Sequence, residues 1–147
     1  MIDNIANIRK GFAAFADGDL DTLKELLDPE IVWHVPGRSS VAGDYRGIDA
    51  TLGYFMQLFE RSGGTFRGEL LECGEIARDL VACLVNIKGS LTAGSVDQRA
   101  MMLFQVRSGR SIEVWNFSID QYAQDEAWGP VAIGVPDARQ EAAPVTT

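Results

Sequence analysis

The residue best suited to acid–base chemistry is the single histidine, His34, which stands in the run Ile31-Val32-Trp33-His34-Val35-Pro36-Gly37. Imidazole is the side chain whose ordinary pKa lies near neutrality, so a half-dry setting with one charged partner shifts it in either direction. The β-branched and aromatic residues around it form a strand that Pro36-Gly37 stops. Alternation puts Ile31, Trp33 and Val35 on one face of that strand and Val32 and His34 on the other. A histidine so placed is either a tuned general base or a rim residue whose ring nitrogens are satisfied structurally, because perturbed groups mark both kinds of site.

Other chemistries have little to work with. The two cysteines, Cys73 and Cys83, are too few for a disulfide framework or a thiolate metal site, and with one histidine no metal site is expected. A hairpin turning near Arg78 would set the two thiols almost opposite each other, so a disulfide is geometrically open. In a reducing compartment two free, small, buried hydrophobes are expected instead. A formal net charge of -8 repels nucleic acid and anionic membrane surfaces and leaves a small neutral ligand open. No apolar run approaches the roughly 20 residues of a membrane span, and no basic-then-apolar leader begins the chain, so the protein reads as soluble and cytoplasmic.

The elements that must position His34 follow from periodicity. At 147 residues and 46% hydrophobic, the chain has the size and core of one domain. Ile5, Ile8, Phe12 and Phe15 recur at helical spacing over about Asp3 to Ala16. Asp19 is placed to cap a second short helix burying Leu20, Leu23, Leu26 and Leu27 before Pro29. Gly37 to Gly47 reads as a loop across a pocket mouth, and Ile48 to Arg61 as a third helix, apolar on most sides. From Thr65 the period becomes two. Strands are expected over Thr65–Ile76, Leu80–Leu91, Asp97–Arg107 and Ser111–Tyr122, joined by short connections into an antiparallel meander. Helices first and a curved sheet after make an α+β domain. On the last strand Trp115, Phe117 and Ile119 form an apolar face, whereas Val114, Asn116, Ser118 and Asp120 form a mixed one. The mixed face is either ordinary solvent-facing surface or a cavity wall. The apolar one exceeds what a thin sheet leaves to water, which predicts a homodimer.

This order of elements resembles the nuclear transport factor 2-like superfamily, and more closely its SnoaL-like polyketide cyclase and ketosteroid isomerase-like branch. The residues that carry the likeness are Ala16-Asp17-Gly18-Asp19-Leu20, Val32 to Gly37, Tyr45-Arg46-Gly47 and Ser62 to Arg67. It continues through Glu113-Val114-Trp115-Asn116-Phe117, Asp120-Gln121-Tyr122-Ala123 and Asp125-Glu126-Ala127-Trp128, and so covers nearly everything up to Trp128. The resemblance implies a cone-shaped α+β barrel over residues 1–128, with three helices capping a curved sheet around an apolar pocket, and a homodimer packed through the sheet. Residues 129–147 are left as a C-terminal tail, expected to be partly disordered.

Carried over residue by residue, the resemblance puts His34 where ketosteroid isomerases keep their general-base aspartate. Gly11, Met102 and Phe55 fall at the oxyanion-hole tyrosine, the protonated aspartate and a supporting tyrosine. Without those donors an enolate is unsupported, so ketosteroid isomerisation is not expected. The cyclases imply an acid–base carboxylate near the end of the last strand, which makes Asp120 the candidate partner of His34. The residues expected to bind substrate are Trp33, Tyr45, Tyr54, Phe55, Met102, Phe104, Asn116 and Ser118, with Tyr45 and Asn116 polarising a carbonyl or hydroxyl. Each also has a plain alternative, with Asp120 as a surface charge, Asn116 as a polar group near a turn and Tyr45 as a loop anchor. Two functions stay open: a cofactor-independent lyase or isomerase using His34 as base on a small apolar carbonyl compound, and a non-catalytic ligand-binding or dimerisation module of the same fold.

Overall fold

The computed structural model describes residues 2–130. The Asp3 side chain accepts from the Ala6 amide and starts α1 (Asn4–Asp17), whose face bearing Ile8, Phe12 and Phe15 turns to the core. Gly18, at φ 67°, returns its amide to the Ala14 and Phe15 carbonyls and ends the helix in the left-handed conformation that glycine tolerates. Asp19 then caps α2 (Leu20–Leu26). Of the four leucines expected inside, Leu23 and Leu27 are buried and Leu20 is exposed, because it sits in the first turn of a helix too short to cover it.

The chain passes without a loop into β1 (Leu27–Val35). Pro29 falls between the paired positions Leu27 and Val32, where the register shifts and no ladder donor is required of it. After β2 (Gly43–Arg46) and α3 (Ile48–Arg61) comes the meander: β3 (Arg67–Ala77), β4 (Leu80–Leu91), β5 (Gly94–Arg107) and β6 (Arg110–Ser118). The six strands form one sheet in the order β2-β1-β6-β5-β4-β3. All neighbours are antiparallel except β1 and β6. Alternation is visible in burial: on β4 Val81, Cys83 and Val85 are buried, and on β5 Ala100, Met102, Phe104 and Val106. The class is α+β, as the order of elements predicts.

Two elements depart from the sequence expectation. The stretch taken as loop contains β2, which extends the sheet edge by pairing antiparallel with β1, Tyr45 opposite Trp33 and Asp44 opposite His34. Four residues including Gly43 and two charges carry no period to detect. The last strand ends at Ser118, and residues expected to continue it form α4 (Gln121–Trp128), with the Asp120 carboxylate accepting from the Ala123 amide as its N-cap. A cap bond made three residues ahead is local, and it outweighs the period-two pattern running through Ile119 and Tyr122, which are 69% and 88% exposed. Gly37 lets α4 dock: at φ 97°, an added Cβ would lie 2.3 Å from both Asp125 Oδ1 and Gln121 Nε2. Of the tail expected at 129–147, Gly129 and Pro130 pair with Ser40 and Ser39, and the rest lies outside the described residues.

Candidate functional site

Between the helices and the sheet lies a cavity of about 100 Å³. α1 contributes Ile8, Gly11, Phe12 and Phe15, α3 contributes Tyr54 and Phe55, and the sheet contributes Trp33, Met102, Phe104 and Asn116. No charged side chain lines it. The aromatic rings hold one another edge to face, with Trp33 at 4.9 Å from Phe55 and 6.0 Å from Phe104. Burial drives the Tyr54 phenol above its ordinary pKa, with a smaller push from Tyr45, so it stays protonated.

The cavity brings together six of the eight expected substrate-binding residues: Trp33, Tyr54, Phe55, Met102, Phe104 and Asn116. Tyr45 and Ser118 are not in its wall. Tyr45 is buried, donates to the Val41 carbonyl at 2.7 Å and stacks on Tyr54, which is the loop-anchor role. Ser118 ends β6 opposite Ala100. The mixed face of the last strand is the cavity wall, since Val114 is fully buried and Asn116 faces the cavity. Gly11 lines the cavity as well, beside Phe55 and Met102.

His34 does not join them. It follows Trp33 in the strand and therefore projects from the opposite face, outside the cavity wall. There its Nδ1 pairs with Asp44 Oδ1 and its Nε2 with Glu113 Oε2, both at 2.6 Å. A protonated ring can donate from both nitrogens at once, so a carboxylate on each nitrogen favours the imidazolium form. Desolvation, the largest single influence on its pKa, pulls it down. The hydrogen bonds to Glu113 and Asp44, with the charges of both, outweigh it and leave the pKa raised. The ring stacks nearly parallel to Trp115, with centroids 5.7 Å apart. Asp120 is not a partner of His34, because its carboxylate is spent on the α4 cap.

The residues missed from sequence are Asp44 and Glu113. They lie 10 and 79 positions from His34, and only the β1–β2 and β1–β6 registers make them neighbours. Neither residue carries a local signal, since β2 is only four residues long and nothing within β6 says which strand lies beside Glu113. Among the described residues no group of three or more His, Cys, Asp or Glu is arranged to hold a metal ion. No helix there is long and apolar enough to cross a membrane. Cys73 and Cys83 do sit directly opposite in the β3–β4 register and are free thiols, the second pushed up to about 12 mainly by burial.

Comparisons with known proteins agree with this architecture. Residues 8–114 match the family model of the SnoaL-like domain. Bal32a, from a soil-derived mobile gene cassette, is 34% identical and superposes with a TM-score of 0.83 over 86% of this chain and 96% of its own. An uncharacterized protein of Mycobacterium tuberculosis is 29% identical over 121 residues, 82% of this chain and 92% of its own. A loop-truncation variant of IdmH is 26% identical with a TM-score of 0.67, over 83% of this chain and 98% of its own.

Proposed function

The chain belongs to the SnoaL-like domain family, and from that premise we propose that it is a pocket protein whose cavity binds a small, neutral, mostly apolar molecule. One observation carries the reading: the space under the helices is walled mainly by aromatic and aliphatic side chains, with Asn4, Asn7, Ser111 and Asn116 as its polar members and no charge among them. Such a wall favours transfer of an apolar ligand out of water by about 25 cal/mol per Å² and penalises an ion that meets no counter-charge. Polyketide cyclase chemistry enters by likeness, since wild-type IdmH from Streptomyces antibioticus is described as a putative polyketide cyclase. The reading that makes His34 the general base draws less support. A base needs a free lone pair beside the substrate, and this ring has both nitrogens engaged by carboxylates on the face away from the cavity.

Calorimetric titration with neutral single-ring aromatics and their carboxylated analogues tests the proposal. The neutral compounds should bind and the carboxylates should not. Gly11→Leu should abolish binding while the protein stays folded, because a Cβ at Gly11 meets only Leu26 Cδ1, at 3.8 Å, and the longer side chain enters the cavity. Tighter binding of carboxylates than of their neutral analogues would overturn it. On the outward face of the sheet, Met101, Leu103, Trp115 and Phe117 form a cross-strand apolar patch, and we propose that this patch pairs two copies of the chain.

A further inference from the structure

Cys73 on β3 and Cys83 on β4 are the two cysteines of the chain, and the fold sets them face to face. They are register partners in an antiparallel pair, and both lie on the inward face, Cys83 inside the core and Cys73 packed against it. Opposed residues on antiparallel strands have Cα atoms roughly 4.5 to 5.5 Å apart, within the roughly 4.4 to 6.8 Å that a disulfide spans. Both thiols are nevertheless free. Their closeness also shows electrostatically: burial and then Cys73 push the pKa of Cys83 up to about 12, while the Arg9 charge on α1 acts against them.

The place of the pair in the sheet gives a bond there a purpose. β3 is an edge strand, hydrogen-bonded to a neighbour on one side only. Its ladder with β4 is irregular between Leu70 and Glu72 and again between Glu75 and Ala77, so the cysteines sit in a short regular stretch with a break at each end. Exposure ranks the two thiols, since Cys73 is half-buried and Cys83 has no exposure. An oxidant arriving from solvent therefore meets Cys73 first, and Cys83 is placed to react with Cys73 alone.

We propose that Cys73 and Cys83 are a redox couple, which a hydroperoxide converts into a cross-strand disulfide fastening the β3 edge to β4. The Cys73 thiolate attacks one peroxide oxygen and the O–O bond breaks. The departing hydroxide takes up the proton that Cys73 released, leaving a sulfenic acid at Cys73 and one water. The Cys83 sulfur then attacks the Cys73 sulfur, the S–O bond breaks, and the hydroxide that leaves carries off the Cys83 proton as a second water. Two electrons pass from the sulfurs to the peroxide, and a dithiol reductant returns them. Because Cys83 is held protonated, the second step is the slow one.

Hydrogen peroxide added to the folded, reduced, full-length chain tests this. Peptide mapping without reductant should join the peptides that hold Cys73 and Cys83, both titratable thiols should be lost, and dithiothreitol should restore them. The oxidised chain should have the higher denaturant midpoint, because the cross-link restricts its unfolded ensemble. In Cys83→Ala the reaction should stop at the Cys73 sulfenic acid, which dimedone traps, and peroxide should leave the midpoint where it was. Cys73→Ala, changed on the half-buried edge strand, should keep its Cys83 thiol through the same treatment, and it decides the matter if Cys83→Ala does not fold. Four outcomes overturn the proposal: peroxide leaves both thiols free, carries Cys73 to a sulfinic acid without a cross-link, joins two chains instead of two strands, or makes the disulfide only in denaturant.

Discussion

The two faces of the sheet divide the molecule's chemistry in a way that neither face alone discloses. The inward face around Trp33, Val114 and Phe104 is uncharged and ends in the cavity. The outward face, one residue along each strand, carries His34, Asp44 and Glu113 beside Trp115 and the half-exposed Phe117. The residue types that most suggest catalysis thus lie on the face turned away from this cavity, whose wall holds no charged side chain. The lesson is that a titratable side chain in an apolar neighbourhood is not evidence of a pocket, since strand alternation moves it through the sheet in one step.

The largest test of that division is to put the same charge on each side. Val114→Asp, at a position with no exposure, should cost roughly 4 kcal/mol or more and leave little folded protein, because no cation waits there. Phe117→Asp, at 50% exposure, should change the unfolding free energy of the single chain by only about 0.5 kcal/mol. Its effect should instead appear in sedimentation, where the dimer proposed above gives way to monomer. Equal destabilisation by the two substitutions in chemical denaturation would erase the distinction between the faces.

The His34 cluster predicts a smaller effect with a definite sign. Its pKa is raised above 6.5 in the folded chain, so folding favours the protonated ring. That stabilisation is complete below about pH 6.5 and is lost as the pH rises through the folded value. Asp44 and Glu113 are 43% and 39% exposed, which solvent screening discounts to at most about 1 kcal/mol. Denaturant midpoints at pH 6 and pH 9 should therefore converge in His34→Ala relative to wild type. The lone imidazole also titrates as one NMR signal, and Asp44→Asn or Glu113→Gln should each lower its pKa. Asp120→Asn should leave the curve in place, and a shift there would restore the dyad that the resemblance implied.

The slightest expected change concerns the cysteines, which sit side by side on the inward face of the sheet. Cys83 is fully buried and held protonated, so thiol reagents at neutral pH should modify Cys73 first and reach Cys83 only on unfolding. Prompt labelling of Cys83 in the native protein would show the inward face to be open on that side.

Much of this could be deduced from residue order. Helical spacing in Ile5, Ile8, Phe12 and Phe15, the Asp19 cap, the third helix over Ile48 to Arg61 and the start of the meander that follows are local signals, and these elements form close to their expected bounds. β2 and α4 escaped because one is four residues long and the other begins inside a strand-like pattern, where a single Asp120 cap decides the outcome. Alternation likewise separated Trp33 from His34 by composition alone. What the sequence could not determine was which of those faces the helices cover. That choice belongs to tertiary packing, because a strand's two faces are equivalent until another layer lands on one of them. The same packing decided that His34 meets Asp44 and Glu113, brought together by strand registers across 10 and 79 positions. It also left the Trp33 indole N–H buried without a partner among the described residues, a property of the assembled space that no stretch of the chain contains.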